Sequence, residues 1–171
     1  VAESDVSARV EELFGAPERK ARGPEKPAKT VPFGPKVEAN KQRLAASGFR
    51  EVIINHSHLG EQIVDALGDG EQFGLSIRYS PEPPGALETA GGIANTLPLL
   101  GVEPFLVVNG DVWCDWDFRR AHSLASKQAH LVFVPNPPQH AGGDFCLDGE
   151  TVHYASSGIG PTLTYAGTGV F

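Results

Sequence analysis

The feature that most restricts the fold is an alternation of strand and helix patterns that begins at residue 51. Apolar, β-branched runs typical of strands occur at EVIIN (51–55), LSIRYS (75–80), FLVVN (105–109) and AHLVFVP (129–135). Between them lie stretches with helical spacing, namely LGEQIVDALG, GGIANTLPLLG and DFRRAHSLASK. This alternation predicts βαβ units. We therefore predict an α/β, Rossmann-like domain with a mainly parallel sheet flanked by helices.

Further patterns flank the alternation on both sides. Residues 4–15 predict a short amphipathic helix, residues 16–35 carry five prolines and predict a loop, and KVEANKQRLAASG (36–48) predicts a helix that ends at Gly48. Downstream, Asp148-Gly149 lies between two short alternating runs, which is typical of a β-hairpin. LTYAGTGVF (163–171) is typical of one more strand.

The length of 171 residues is that of one domain. The chain opens on Val1 rather than on Met, and it stops within an apolar run at Phe171. We therefore predict a single domain over residues 1–171 that is incomplete at both ends. Because no charged and apolar leader and no long apolar run is seen, we predict a cytoplasmic protein without a membrane partner.

The charge of the chain is unevenly distributed. The formal net charge is −7, yet ten of the 14 Lys and Arg residues lie within residues 1–50. The acidic remainder disfavours a nucleic-acid partner, whereas the basic segment is either a polyphosphate-attracting region or a solvated loop.

The strand FLVVN ends in Asn109-Gly110-Asp111. In open parallel sheets ligands bind outside the carboxyl ends of the strands, so Asp111 is a candidate oxygen ligand for Mg²⁺. Asn-Gly-Asp is equally typical of a plain turn whose side chains bond to nearby backbone groups. The pattern alone leaves both interpretations open.

A second acidic pair, Asp115 and Asp117, flanks Trp116. It resembles the D-x-D pair with which metal-dependent glycosyltransferases hold a divalent ion against a nucleotide sugar. Both residues also precede a predicted helix, where Asp is favoured as a cap and by the helix dipole. We favour capping.

Three other stretches offer candidate binding residues. Gly91 and Gly92, in LETAGGI (87–93), either let a ligand approach a helix N-terminus or form a flexible turn. Asp144 either contacts a substrate hydroxyl or caps a turn. The pair His56 and His58 could ligate a metal, although with no third ligand in view we favour a loop.

Five stretches together resemble the sugar-1-phosphate nucleotidyltransferases in order and spacing. They are VIINHSHLGEQI, FGLSIRYSPE, LETAGGIANTLPLL, FLVVNGDVW and LTYAGTGVF, and they are most similar to the branch that acts on N-acetylmuramate 1-phosphate with UTP. The resemblance implies that Glu88, Gly91 and Gly92 line the nucleotide site. It also implies that Asp111 binds Mg²⁺ and that Asn109 and Asp144 contact the sugar phosphate.

The resemblance extends more weakly into the N-terminal region. In the family a glycine-rich loop wraps the triphosphate, and this chain keeps Gly15 and Arg19 of that pattern but has Pro17 in place of a glycine. The catalytic lysine of the family corresponds to Lys26, which precedes a proline as in the family motif. The resemblance thus implies catalytic roles for Lys26 and Arg19 and a nucleotide-binding role for Gly15.

The activity implied is transfer of a nucleotidyl group from a nucleoside triphosphate to a sugar 1-phosphate with Mg²⁺ as cofactor, which serves cell-wall recycling in the branch named above. Two alternatives remain open. One is a glycosyltransferase that uses Asp115 and Asp117. The other is a non-catalytic domain that binds a nucleotide or a nucleotide sugar.

Overall fold

The computed structural model describes residues 35–57, 59–83, 87–124 and 129–171. The chain divides into two compact units, Val1–Glu103 and Pro104–Phe171. The predicted helix of residues 4–15 and almost all of the predicted loop of residues 16–35 lie outside the described residues.

The described part of the first unit is a βαβ arrangement with added helices. Its elements are α1 (Pro35–Ala46), β1 (Glu51–His56), α2 (Gly60–Leu67), a 3₁₀ turn (Glu71–Phe73), β2 (Ser76–Pro81) and α3 (Glu88–Leu100). Strands β1 and β2 pair in parallel, with Glu51 opposite Ser76. The predicted parallel pair is therefore confirmed in this unit.

The core of the first unit lies between α2 and the β1–β2 pair. Leu67, Leu75 and Ile77 are buried there, and partly buried apolar side chains such as Ile63 and Val52 pack against them. Ile63 and Leu67 are four residues apart in α2 and so share one face, whereas Leu75 and Ile77 are two apart along the chain at β2 and share one side of the sheet. The helical and strand periodicities thus converge on one apolar layer.

The described part of the second unit is mainly sheet. Its elements are β3 (Leu106–Val108), a 3₁₀ turn (Phe118–Ser123), β4 (His130–Val134), a 3₁₀ turn (Pro138–His140), β5 (Phe145–Asp148), β6 (Thr151–Tyr154), a 3₁₀ turn (Ala155–Ser157) and β7 (Thr162–Val170). The predicted hairpin is confirmed, because β5 and β6 pair around the Asp148-Gly149 turn with Asp148 opposite Thr151. The final predicted strand is also confirmed, and its second half is buried throughout.

Pairing in the second unit corrects the expectation of a mainly parallel sheet. Strand β7 runs antiparallel to β3, β4 and β5. Because β3 and β4 both pair with Gly169 and Val170, they lie on opposite edges of β7 and run in the same direction. The predicted crossover from β3 to β4 therefore exists, but a strand from much later in the chain lies between its two ends and makes each neighbouring pair antiparallel.

Two helix predictions also differ from the structure. Helix α3 begins at Glu88, one turn before the glycine pair, and the stretch after Asp117 forms a 3₁₀ turn over Phe118–Ser123 rather than an α-helix. In the portion of the chain that the structure describes, no helix has the length and apolar character needed to cross a membrane.

Candidate active site

In the first unit, polar side chains gather where the parallel strands end. Asn55 lies near the end of β1, and Glu82 directly follows β2. Because parallel strands end at the same edge of a sheet, these two side chains meet there, and Asn55 Nδ2 donates a hydrogen bond to Glu82 Oε1 at 2.9 Å. The Glu82 N–H donates to the His56 carbonyl at 2.8 Å, which continues the ladder to the same edge.

Helix α3 starts at this edge. The N–H of Leu87, the residue before the helix, donates to Glu82 Oε2 at 3.1 Å. In regular helix geometry the N–H groups of Gly91 and Gly92 pair with the carbonyls of Leu87 and Glu88. The N–H donors that a helix leaves for a ligand therefore come from the residues before the glycine pair, which corrects the prediction that the helix opens at the glycines.

The two glycines have a packing role of their own. A Cβ at Gly92 would overlap the Asn55 amide and lie 2.9 Å from Glu82 Oε1, and a Cβ at Gly91 would lie 2.7 Å from the Leu87 Cβ. Gly92 is buried, and its carbonyl accepts a hydrogen bond from Thr96 Oγ1 at 2.7 Å. Gly92 thus lets the first turn of α3 rest directly on the strand ends, and Gly91 leaves room for Leu87.

A further contact holds α3 over β2. Asn95 Nδ2 donates to Ser80 Oγ at 2.9 Å and to the Pro81 carbonyl at 3.3 Å, and Ser80 is buried. Sequence reasoning missed Asn55, Glu82 and Asn95. A pattern for the first two was present, since both are polar residues at the ends of apolar strands.

The histidine at the end of β1 packs rather than binds. The His56 ring lies where a Cβ of Gly60 would be and meets Tyr79 edge-on, with the ring centroids 6.0 Å apart. His56 is the last residue of β1 and pairs with Pro81, which corrects the loop interpretation for this residue. His58 lies outside the described residues.

In the second unit, β3 leads into a turn that carries Asp111. The Val112 N–H donates to the Asn109 carbonyl at 3.3 Å, so Gly110 and Asp111 are the central residues of a β-turn. Asp111 is exposed on it. The turn interpretation is confirmed, and the metal interpretation stays a prediction for an exposed aspartate at the end of a strand.

The number and type of protein ligands at Asp111 decide which metal ion the site suits. Within the described ranges, no group of three or more His, Cys, Asp and Glu side chains could hold a metal ion. Mg²⁺ commonly takes only one or two protein carboxylates and fills its other positions with water and substrate phosphates. A single exposed carboxylate therefore fits a magnesium ion shared with a nucleotide, and it would not suit zinc, which takes three or four protein ligands.

Asn109 is held against β7. Its N–H donates to the Gly167 carbonyl at 2.8 Å, and Gly167 has a φ of +67°. The Asn109 side chain lies against the open face of this glycine, so Gly167 belongs to the same site region. Sequence reasoning missed Gly167, because only the pairing of β3 with β7 brings it to Asn109.

Asp144 joins the segment before β5 to β7. Its Oδ1 lies 2.9 Å from His140 Nε2, and its Oδ2 accepts the Tyr165 N–H at 2.9 Å. Burial raises the pKa of the neighbouring Tyr165 to about 12. Asp144 thus bonds to a strand N–H and to a side chain rather than to the N–H of a turn, which corrects the capping interpretation, and a substrate contact stays a prediction.

Asp117 caps the 3₁₀ turn that follows it. Its carboxylate accepts the Arg119 N–H at 3.1 Å and pairs with the Arg119 guanidinium, with 2.8 Å between Nη2 and Oδ2. These hydrogen bonds from Arg119 lower the pKa of Asp117 below its ordinary value of 3.8. The capping interpretation is confirmed for Asp117. The same carboxylate also forms an ion pair with the Arg119 guanidinium.

Gly15, Arg19 and Lys26 lie outside the described residues, and Glu88 is the first residue of α3.

Comparisons with known proteins agree with this geometry. The family model for Nucleotidyl transferase matches residues 24–143. Two solved structures share the fold, a Bacillus anthracis protein solved with sucrose (TM-score 0.63, 17% identity, covering 82% of this chain and 61% of the other) and HddC from Yersinia pseudotuberculosis (TM-score 0.58, 20% identity, covering 76% and 59%). The chain belongs to the nucleotidyl transferase family and has its α/β, Rossmann-like fold.

Relatives in this family act on sugar phosphates according to their names. The chain is 49% identical over 151 residues to the N-acetylmuramate alpha-1-phosphate uridylyltransferase of Neisseria meningitidis, which covers 85% of this chain and 65% of that protein. It is 40% identical over 101 residues to the mannose-1-phosphate guanylyltransferase of Mycobacterium tuberculosis, which covers 56% of this chain and 28% of that protein. The chain thus spans less than two thirds of the length of these relatives.

Proposed function

We propose that the protein transfers a uridylyl group from UTP to N-acetylmuramate 1-phosphate, giving a nucleotide sugar and pyrophosphate. The observation that carries this proposal is the 49% identity with a relative of that name over 85% of the chain. The match includes the stretches around Gly92 and Asp111, where the structure has a helix start and an exposed aspartate at strand ends. A less similar relative is named a mannose-1-phosphate guanylyltransferase, so the base of the nucleotide and the sugar of the acceptor are the properties to test first.

The reaction needs no protein nucleophile. An oxygen of the sugar 1-phosphate attacks the α-phosphorus of the triphosphate, and the bond from that phosphorus to the pyrophosphate oxygen breaks. Asp111 would hold a magnesium ion, which supplies charge neutralisation to the phosphates when bound. Lys26 and Arg19 would face the negative charge that develops on the leaving group, so catalysis rests on positioning and electrostatics.

The remaining site residues would bind the two substrates. Gly15 and the turn Glu88–Gly92 would bind the nucleotide, with N–H donors of the first turn of α3 facing it. Asn109 and Asp144 would contact the sugar phosphate. Asn109 suits this role because the Gly167 carbonyl fixes its backbone at the end of β3.

The glycosyltransferase alternative has less support. It needs Asp117 as a metal ligand, and that carboxylate is paired with the Arg119 guanidinium. The non-catalytic alternative remains as an outcome of the experiment below. We further propose a cytoplasmic enzyme of cell-wall recycling with no nucleic-acid or membrane partner.

Pyrophosphate release is the test of this proposal. UTP, GTP, CTP and dTTP are each combined with N-acetylmuramate 1-phosphate, glucose 1-phosphate or mannose 1-phosphate in the presence of Mg²⁺. We expect release with UTP and N-acetylmuramate 1-phosphate that requires both substrates and that Asp111→Ala abolishes. Asp115→Ala, an exposed carboxylate four residues away, is the matched control and should retain release.

Each outcome decides between the alternatives. A folded protein that releases no pyrophosphate but binds a nucleotide sugar with Mg²⁺ would favour the glycosyltransferase if that binding is lost in Asp115→Ala and Asp117→Ala and kept in Asp111→Ala. Nucleotide binding by a folded full-length protein without any pyrophosphate release would identify a binding domain and end the enzymatic proposal.

A further inference from the structure

We propose that Glu82 is a positioning residue for nucleoside triphosphate binding, whose two carboxylate oxygens fasten the first turn of α3 to the end of β1. The inference rests on the proposed function. It assigns a role to a residue that lies outside the predicted site residues and that acts on the nucleotide through another element.

The geometry makes Glu82 a bridge between two elements. One oxygen accepts the Asn55 side-chain amide at 2.9 Å, and the other accepts the Leu87 N–H at 3.1 Å. Leu87 directly precedes the helix, so the second bond sets where the helix begins. A carboxylate is also the side chain that the positive end of a helix dipole favours.

The residues around the Glu82 bridge pack closely against it and hold the same helix. Gly92 lies so close that a Cβ would overlap the Asn55 amide and approach Glu82 Oε1 to 2.9 Å. Asn95 fixes the same helix one turn further on, through Ser80 and Pro81. The first turn of α3 is thus fastened at its start by Glu82 and along its length by Asn95, which keeps its outward N–H groups in one place.

A bridge of this kind has a defined donor and acceptor pattern. Glu82 accepts twice, and both partners can only donate through the atoms that face it. In Glu82→Gln one of the two carboxylate oxygens becomes an NH₂ group and the negative charge is lost, so the Asn55 amide has to rotate to keep its bond and both bonds become neutral and weaker. In Asn55→Asp two carboxylates face each other.

The double variant Asn55→Asp with Glu82→Gln reverses the pattern and restores it. The amide oxygen introduced at position 82 can accept the Leu87 N–H, while the NH₂ group of the same amide donates to the carboxylate introduced at position 55. The net charge equals that of the wild type, so a rescue cannot be attributed to charge. Glu103→Gln, at an exposed carboxylate of the same unit, is the matched control for loss of one charge.

The experiment measures the KM of the full-length protein for each substrate, with thermal unfolding to verify folding. We expect Glu82→Gln to raise the KM for UTP about tenfold, the effect of replacing two charge-assisted hydrogen bonds with neutral ones. The KM for the sugar 1-phosphate should change less than about twofold, and the double variant should recover most of the affinity for UTP. Amide exchange at Leu87 should be faster in Glu82→Gln, because a neutral amide oxygen is a weaker acceptor than a carboxylate oxygen.

A Glu82→Gln protein with unchanged KM for UTP, or an equal rise for both substrates without rescue, would overturn the role of Glu82 while leaving the proposed function intact. If the wild type releases no pyrophosphate, the proposed function fails, and UTP affinity measured by calorimetry on the same proteins then decides the role of Glu82. A wild-type protein that binds no nucleotide overturns both.

Discussion

Asn109 and Gly167 occupy one small space across the β3–β7 pair. The Asn109 N–H donates to the Gly167 carbonyl at 2.8 Å, and a Cβ on Gly167 would lie 2.9 Å from Asn109 Nδ2. The φ of Gly167 is +67°, a backbone angle that residues other than glycine rarely adopt. The position of a predicted substrate-binding side chain therefore depends on a glycine in the central strand of its sheet.

Gly167→Ala should displace Asn109 as well as strain the backbone. The positive φ contributes a loss of about 1 kcal/mol and the crowding about 1–3 kcal/mol of unfolding free energy. Because Asn109 moves, the KM for the sugar 1-phosphate should rise more than the KM for UTP. Urea unfolding and steady-state pyrophosphate release measure the two effects.

Gly158→Ala is the control, because Gly158 has a φ of +71° and nothing within 4 Å of its Cβ position. It should show the backbone strain alone and leave both KM values unchanged. Equal destabilisation in the two variants would refute the steric link between Gly167 and Asn109.

Asp117 should matter for stability and not for turnover. Arg119 lowers its pKa below 3.8, so the ion pair stabilises the folded state above that pH and is lost as pH falls through the lowered pKa. Asp117→Asn should therefore lower Tm slightly at pH 7, and its Tm should approach that of the wild type as the pH falls below 3.8. Asn keeps a capping oxygen, which isolates the charge.

Asp115→Asn serves as the comparison for Asp117, since Asp115 is an exposed carboxylate two residues away. Thermal melts from pH 7 to pH 3 test the pH dependence, and pyrophosphate release tests turnover. A pH-independent difference in Tm would show that the ion pair with Arg119 is not its source.

Local patterns predicted most elements of the described fold. The periodicity of α2 and the Asp148-Gly149 turn involve neighbours within a few residues, so they can be read from the chain directly. The antiparallel sheet of the second unit could not be predicted in this way. Strand β7 pairs with β3 across an intervening stretch that includes β4, β5 and β6, and nothing in a single strand pattern specifies its neighbour.

The candidate site residues likewise differ in whether a local pattern or a long-range contact identifies them. Asp111 and the glycine pair were predicted because strand ends and glycines mark sites in open α/β sheets. Glu82 and Gly167 were missed because their roles arise from long-range contacts, with Asn55 in one case and with Asn109 in the other. The direct role of Asp144 in substrate binding is still a prediction.

Asp144 should combine a structural and a binding role. Its Oδ2 accepts the Tyr165 N–H, so Asp144→Ala leaves that donor without its partner and should lower the unfolding free energy by about 1 kcal/mol or more. Asp144→Asn keeps an acceptor oxygen and should be more stable than the alanine variant. If Asp144 contacts the sugar phosphate, the Asn variant should raise the KM for the sugar 1-phosphate and leave the KM for UTP unchanged.

His140→Ala distinguishes the contributions of the two Asp144 oxygens. It removes the 2.9 Å contact at Oδ1 and keeps the hydrogen bond from the Tyr165 N–H to Oδ2. Chemical denaturation ranks the three variants, and steady-state kinetics follow both substrates. Unchanged KM values in a folded Asp144→Asn protein would restrict Asp144 to its structural role.

The partly buried phenol of Tyr165 should make the protein sensitive to alkali. Burial raises its pKa from 10.0 to about 12, so the unfolded chain ionises first as the pH rises. The folded state therefore keeps its full stability below pH 10 and loses about 2–3 kcal/mol as the pH passes from 10 to 12. Tyrosinate absorbance followed during a pH titration should show a late step that Tyr165→Phe removes. Denaturation in urea at pH 9 and pH 11 should show a larger loss for the wild type than for Tyr165→Phe, and equal losses would mean that Tyr165 ionises at its ordinary pKa.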